Sequence, residues 1–197
     1  MLHHSPGTST LVAAALGWTA MMGLMMAPTV APWVLAYHRF GLTAGPYLAR
    51  LRGTVSFALG YFVVWSLFGL AVAVVQTHIA VTGPLSGLLL AAAGGFQFTA
   101  LKQACLTHCR NPFSFLLMRW KDGPRSALQL GLAHGAYCLG CCWALMLTSL
   151  AVGFTSLWWM AALAVFSFVE QAAPWGARLR VPIGIALIAA GVVTLFG

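Results

Sequence analysis

Six long apolar stretches, at 10–37, 54–76, 85–101, 126–150, 154–173 and 181–196, leave this chain little sequence from which to build a water-facing surface. Each is near the ~20 helical residues that cross a ~30 Å hydrocarbon layer at ~1.5 Å per residue. Only 6% of the residues are charged, against about 25% in an ordinary soluble domain. Two acidic and ten basic side chains in 197 residues cannot cover a soluble surface. Backbone groups must be paired inside lipid, and the stretches lack the polar–apolar alternation of barrel strands, so they are expected to be helices. The expected fold is all-α, a single polytopic transmembrane helix bundle over residues 1–197 with about six spans.

Charge placement orients such a bundle. Arg39, Arg50 and Arg52 lie between the first and second stretches, Lys102, Arg110, Arg119, Lys121 and Arg125 between the third and fourth, and Arg178 and Arg180 between the fifth and sixth. The connections around His78 and Gly153 carry no basic residue. Alternate loops therefore hold all the positive charge, which predicts cytoplasmic basic loops and outward-facing termini in a cell (inner or plasma) membrane. The net charge of +8 then reflects topology. Lipid is the expected partner and nucleic acid is not, because the charges flank spans. The first ten residues have no Lys or Arg and the apolar run after them is too long for a cleaved signal, so the first helix is expected to be retained. His3 and His4 read as a tail. Trp33, Tyr37 and Trp175, near helix ends, read as interface anchors.

The chemistry-bearing residues are concentrated in the middle of the chain. Its five cysteines are Cys105, Cys109, Cys138, Cys141 and Cys142. If the third helix continues past Leu101, Cys105 and Cys109 stand one turn apart, with His108 beside them. On the fourth helix His134, Cys138 and Cys141 share a stripe, and Cys142 is also one turn from Cys138. Gly131 and Gly135 offer that face to a close neighbour, for which the third helix is the natural candidate. The cytoplasmic placement keeps these thiols reduced. On the first helix Met22, Met25 and Met26 share a face before Pro28. Thioether and thiolate sulfurs are soft ligands that favour Cu(I). A membrane cysteine is ordinarily a small packing residue, and methionine more so, but two His/Cys clusters this tight point to metal binding or thiol redox. Glu170, an acidic residue inside a span, is placed to counter a cation, carry a proton, or pair with Lys102 or Arg178. Gln97, after Gly94-Gly95, is a buried amide that must find a partner.

Most enzyme classes lack their parts here. There are no paired carboxylates for glycosidase or two-metal work, no phosphate-binding Gly-rich Lys motif and no zinc-protease motif. Asp122 and Glu170 give no Ser-His-Asp spacing.

The blocks at 94–112, GGFQFTALKQACLTHCRNP, and at 131–143, GLAHGAYCLGCCW, resemble the signature blocks of the predicted metal-binding integral membrane proteins. That family was formerly a domain of unknown function, and some of its members are regarded as copper chaperones for tyrosinase-like copper enzymes. The resemblance covers most of the chain. It places the family's Gln–Lys–Cys–Cys–Arg pattern on Gln97, Lys102, Cys105, Cys109 and Arg110, its His and Cys block on His134, Cys138, Cys141 and Cys142, and its Met-Met-x-Pro pattern on Met25, Met26 and Pro28. The family often has Lys after the acidic residue of the fifth helix, where this chain has Gln171. Many members also carry an extra N-terminal helix that is not evident here.

The expectation is thus a membrane protein that handles Cu(I), or less readily zinc, and passes it to a copper-enzyme client. Cys105 and Cys109 form one site, with Cys138, Cys141 or Cys142 as a second or shared one. His108 and His134 assist, Lys102 and Arg110 offset thiolate charge, and Gln97 and Glu170 support. Two other readings stay open at this point: thiol redox through Cys138 and Cys141, and an assembly subunit whose cysteines only pack.

Overall fold

The computed structural model describes residues 8–40, 46–79, 81–120, 123–153 and 156–196. His3, His4, Lys121 and Asp122 lie outside them, as does the predicted start of the fifth stretch at 154. In chain order the helices are α1 (Thr8–Phe40), α2 (Tyr47–His78), α3 (Pro84–Phe96), α4 (Ala100–Cys109), α5 (Pro112–Arg119), α6 (Pro124–Val152), α7 (Leu157–Ala172) and α8 (Arg180–Phe196). A 3-10 turn at Gly176–Leu179 leads into α8. No strand occurs among the described residues.

Four helices are long and apolar enough to cross a membrane: 11–39 within α1, α2, α6, and α8 with its preceding turn. A fifth passage exists if α3 and α4 count as one broken span. α7 is apolar but has 16 residues, about 24 Å at the helical rise. The third stretch is therefore not the single straight helix expected from apolarity. Gly94 and Gly95 weaken its end, Gln97 and Phe98 form turns, and the Thr99 hydroxyl caps a new helix by accepting the Lys102 N–H at 3.3 Å. The two halves meet at a 64° bend.

α6 is the central element, touching α2, α3, α4 and α7. α1 lies against α2 and α7, and α8 pairs with α3. Small residues set the closest crossings. A Cβ on Gly131 would run into the Phe57 carbonyl of α2, and one on Gly60 would meet the α6 backbone at Leu128 and Leu132. Gly135 likewise faces Tyr61 and Val64. The neighbour seated on Gly131 and Gly135 is therefore α2, not the helix that follows α3 in the chain. On the other side, Gly87 and Gly94 of α3 meet the carbonyls of Gly191 and Gly184 in α8, each at 2.7 Å from where a Cβ would stand. Such approaches strengthen dispersion contacts where no hydrophobic gradient draws helices together.

The exterior is largely apolar, with Arg39, Arg52, Arg119, Arg125 and Arg178 also exposed, while one lysine and one glutamate lie in the interior. Leu24, Leu67, Trp158, Val193 and Phe196 are exposed, whereas Lys102, Glu170 and Gln97 have no exposed surface at all. Lys102, grouped above with the basic residues flanking the spans, belongs to the core. Trp33 and Tyr37 are buried as well, not anchored at a surface, while Trp175 is exposed.

Replacing Gly131 by Val should cost about 1–3 kcal/mol or more through overpacking against Phe57, whereas Gly95→Ala, which meets nothing within 4 Å, should be silent. Thermal aggregation of the two variants in detergent checks the contrast.

Candidate metal centre

Two helices bring the thiols together. α6 presents Cys138, Cys141 and Cys142 by its own periodicity, and all three are fully buried. The short α4, turned by the bend after α3, delivers Cys109 from the other side. The sulfurs of Cys109, Cys138 and Cys141 lie within 4.8 Å of one another. Cys109 Sγ is 4.0 Å from Cys141 Sγ. With metal–sulfur bonds of ~2.3 Å, two ligands of one ion stand about 4.0 Å apart in a trigonal plane and about 4.6 Å apart on a line. The observed spacing falls in that range without any sulfurs having to move far.

Each thiol is held from behind. Cys141 S–H donates to the Cys138 carbonyl at 3.1 Å, and its sulfur is 3.3 Å from that of Cys142. The Tyr61 hydroxyl lies 3.2 Å from Cys138 Sγ and 3.3 Å from the Thr29 hydroxyl, which itself donates to the Met26 carbonyl at 2.7 Å. The Gln171 amide N–H groups point at Cys142 Sγ (3.5 Å) and Cys138 Sγ (3.7 Å). A side-chain amide and a phenol can both donate to thiolate sulfur, so the pocket carries donors suited to a negatively charged sulfur set.

The remaining sequence-derived residues sort by distance from this group. Cys105 is half-exposed, and its sulfur packs against Gly140 of α6, 2.7 Å from where a Cβ would stand there. It is not one of the three converging thiols. His108 is exposed, stacked on Tyr137 at 4.3 Å, with its ring Nδ1–H on the Ala104 carbonyl at 2.9 Å. His134 is buried and stacked on Trp33 at 3.7 Å between centroids, and its Nε2 has no hydrogen-bond partner among the described residues. Trp33 in turn donates its indole N–H to the Cys109 carbonyl at 3.2 Å. Met22, Met25 and Met26 are buried in the core, and the Thr29 hydroxyl comes within 3.9 Å of Met26 Sδ. That places one thioether on the same polar thread as Cys138.

A charge clamp fixes α4. Lys102 Nζ is 2.9 Å from Glu170 Oε2 and donates to the Cys141 carbonyl at 3.1 Å. Of the roles open to Glu170, pairing with Lys102 is the one the geometry adopts. About two turns further, the Arg110 guanidinium donates to the carbonyls of Glu170 (2.6 Å) and Pro174 (2.8 Å). α4 is thus tied to α7 twice and to α6 once, and Cys109 lies between the ties. Glu170 Oε1 and both amide atoms of Gln97 find no partner among the described residues.

Two participants escaped the sequence reading. Tyr61 sits in a generic apolar span with nothing to mark it. Gln171 carried a signal, since it stands where the similar family often has Lys, but its contact with the thiols depends on the close packing of α7 on α6.

Buried soft-ligand sulfurs at metal spacing, inside an all-helical apolar bundle, make the arrangement of a soft-metal-handling protein. Sequence comparison gives the family. The model described as PpoB2, copper chaperone, matches residues 15–194, and the chain belongs to that family. This bears out the resemblance carried by the two cysteine blocks. No curated protein and no solved structure matches the chain.

Removing one half of the buried ion pair leaves an uncompensated charge, which costs about 3–5 kcal/mol. Lys102→Met should therefore destabilise the chain by that order, and Lys102→Met/Glu170→Leu should recover most of the loss. Unfolding of both variants, followed by denaturant titration in detergent, measures the difference.

Proposed function

We propose that this protein is a membrane-embedded copper chaperone that holds Cu(I) on Cys109, Cys138 and Cys141 and gives it up to a copper-enzyme client by ligand exchange. The observation that carries the reading is the convergence of those three buried sulfurs from α4 and α6 at the spacing of ligands to one ion. Family membership supports copper as the cargo, and so does the ligand set, since three soft sulfurs suit Cu(I) whereas structural zinc takes four ligands. Metal handling also fits the family better than catalysis does.

The exposed apolar side chains along the long helices support the membrane setting. With α3 and α4 as one broken passage and α7 as a short one, the chain makes six passages, the basic connections face the cytoplasm, and the α4–α5 end of the centre lies on that side. A reducing compartment there keeps the thiols available. The cavity-facing donors then have definite tasks. Tyr61 and Gln171 donate to thiolate sulfur, and Lys102, fixed beside Cys141, lowers the cost of a negative sulfur–metal set in a low-dielectric interior. His134 shields one side by stacking, and Cys105 acts as a packing residue against Gly140. Thiol redox has weaker support, because the family matched is one of copper chaperones.

The experiment is copper retention by purified, reduced protein. The wild type and Cys105→Ser should hold a single copper ion, and Cys109→Ser/Cys141→Ser should hold none. Equal occupancy in all three sinks the assignment. Gln171→Leu should keep the site but weaken it by about 10–100-fold in competition with a Cu(I) chelator, the usual effect of losing a ligand's supporting contact. Because thiols lose protons on binding, affinity should rise with pH in the same titration.

A further inference from the structure

A bound Cu(I) ion is never free in a cell at useful concentration, so a buried centre of this kind needs a route for a carrier. A cavity of about 190 Å³ opens between α1, the α4–α5 turn and α7. Its rim includes the exposed residues Pro32 and Ala172, and its floor the buried Trp33, Cys109 and Gln171. Two larger cavities nearby, of about 470 and 230 Å³, have no cysteine on their walls. Elsewhere the sulfurs are closed off, Cys138 by Tyr61 on α2 and Cys141 and Cys142 by complete burial.

Resting on the copper site proposed above, we infer that this cavity is the port through which thiolate-carried Cu(I) reaches the centre, with Cys109 as the ligand that meets it first. The size admits the tip of a thiol ligand and excludes a folded domain. The charge is suitable too. Cu(I) with two thiolates is an anion, Arg110 is among the residues that line the cavity, and no acidic residue lines it. The step needs no oxidant or reductant. The Cys109 sulfur forms a bond to copper, one carrier sulfur–copper bond breaks, and the Cys109 proton leaves on the released carrier thiolate as a neutral thiol. A second exchange, onto Cys138 or Cys141, releases the second carrier thiolate with that residue's proton as a neutral thiol. The last of the three sulfurs then adds to copper without displacing a carrier, and its proton passes to water at the cavity mouth. Gln171, which lines the cavity and also touches Cys138 and Cys142, separates the port from the deeper sulfurs.

The test separates rate from affinity. Ala172→Trp places a large ring on the exposed rim without touching a thiol. Copper should be presented both as a small monothiol complex and on a short cysteine peptide. The variant should keep wild-type copper stoichiometry and equilibrium affinity, while uptake slows about tenfold or more, within the spread that access imposes on association rates. Slowing with either carrier supports the port, and the carrier affected names the source of the thiol. Unchanged uptake from both, at wild-type stoichiometry, overturns the port and leaves the copper site standing. A wild-type chain that takes up no copper removes the site and the port together. A second check leaves the cavity rim unaltered and uses a Cys105→Ser background with a small thiosulfonate reagent, the products being mapped by mass. Cys109 should be modified ahead of Cys138, Cys141 and Cys142; modification of any of those three first overturns the inference.

Discussion

A charged side chain stranded among apolar helices costs more free energy than most packing contacts return, so Lys102 and Glu170 have to meet. Their contact joins α4 to α7, and the second hydrogen bond of the Lys102 ammonium, to the Cys141 carbonyl, joins α4 to the centre of α6. Everything particular about the thiol group follows from that docking. α4 has only ten residues, too few to be a stable helix in isolation, and of its apolar side chains only Leu106 and Cys109 are buried. The ion pair and the Arg110 contacts supply what hydrophobic burial does not, and they do so directionally. A helix held by apolar packing could slide by part of a turn, whereas one held by two cations on fixed oxygen atoms cannot. The sulfur of Cys109 therefore arrives at one position relative to Cys138 and Cys141.

The bend between α3 and α4 is the other half of the same device. A straight third span would carry Cys109 away along its axis and leave α6 with its own three thiols alone. Breaking the helix at Gln97–Thr99 turns the second half inward, and Thr99 satisfies one of the donors freed by the break. Little backbone is left unpaired, because the Gln97, Phe98 and Thr99 N–H groups donate to the carbonyls of Gly94, Gly95 and Phe96, and Gly184 of α8 lets Phe98 and Gln97 approach closely.

Much of this was legible in the sequence, and the failures have physical causes. Apolar length matches α1, α6, α7 and α8 to within three residues, but α2 begins at Tyr47, seven residues before its apolar stretch, and α5 lies in none of the stretches. The α6 stripe of Cys138 and Cys141 followed from helical period alone. The α3–α4 bend was hidden because apolarity continues through it, although Gly94-Gly95 and Thr99 were its local signs. Span counting also put Lys102 outside the bundle, since a lysine near a helix end ordinarily reaches water. Trp33 and Tyr37 misled in the same way, being amphipathic rings at a helix end that turned out to stack inside. The pairing of Cys109 with the α6 thiols, and not with Cys105 one turn away, depends on which side of a ten-residue helix faces α6. Sequence period gives the two cysteines nearly the same face, and the small offset between them decides the outcome: Cys109 is buried at 2% exposure while Cys105 is left beside Gly140.

A centre meant to release its metal differs from one meant to keep it. Complete tetrahedral ligation would bury the ion permanently, because a fourth bond raises the barrier to every exchange. In the site proposed above, three sulfurs would leave a face on which an incoming thiolate could bond before an outgoing one departs, so the ion would not pass through a bare state. The same logic explains the position of the charges. Lys102 sits on the side of Cys141, deep in the bundle, and Arg110 stands on the cavity side of Cys109, so positive potential spans both ends of the path that an anionic copper–thiolate would follow.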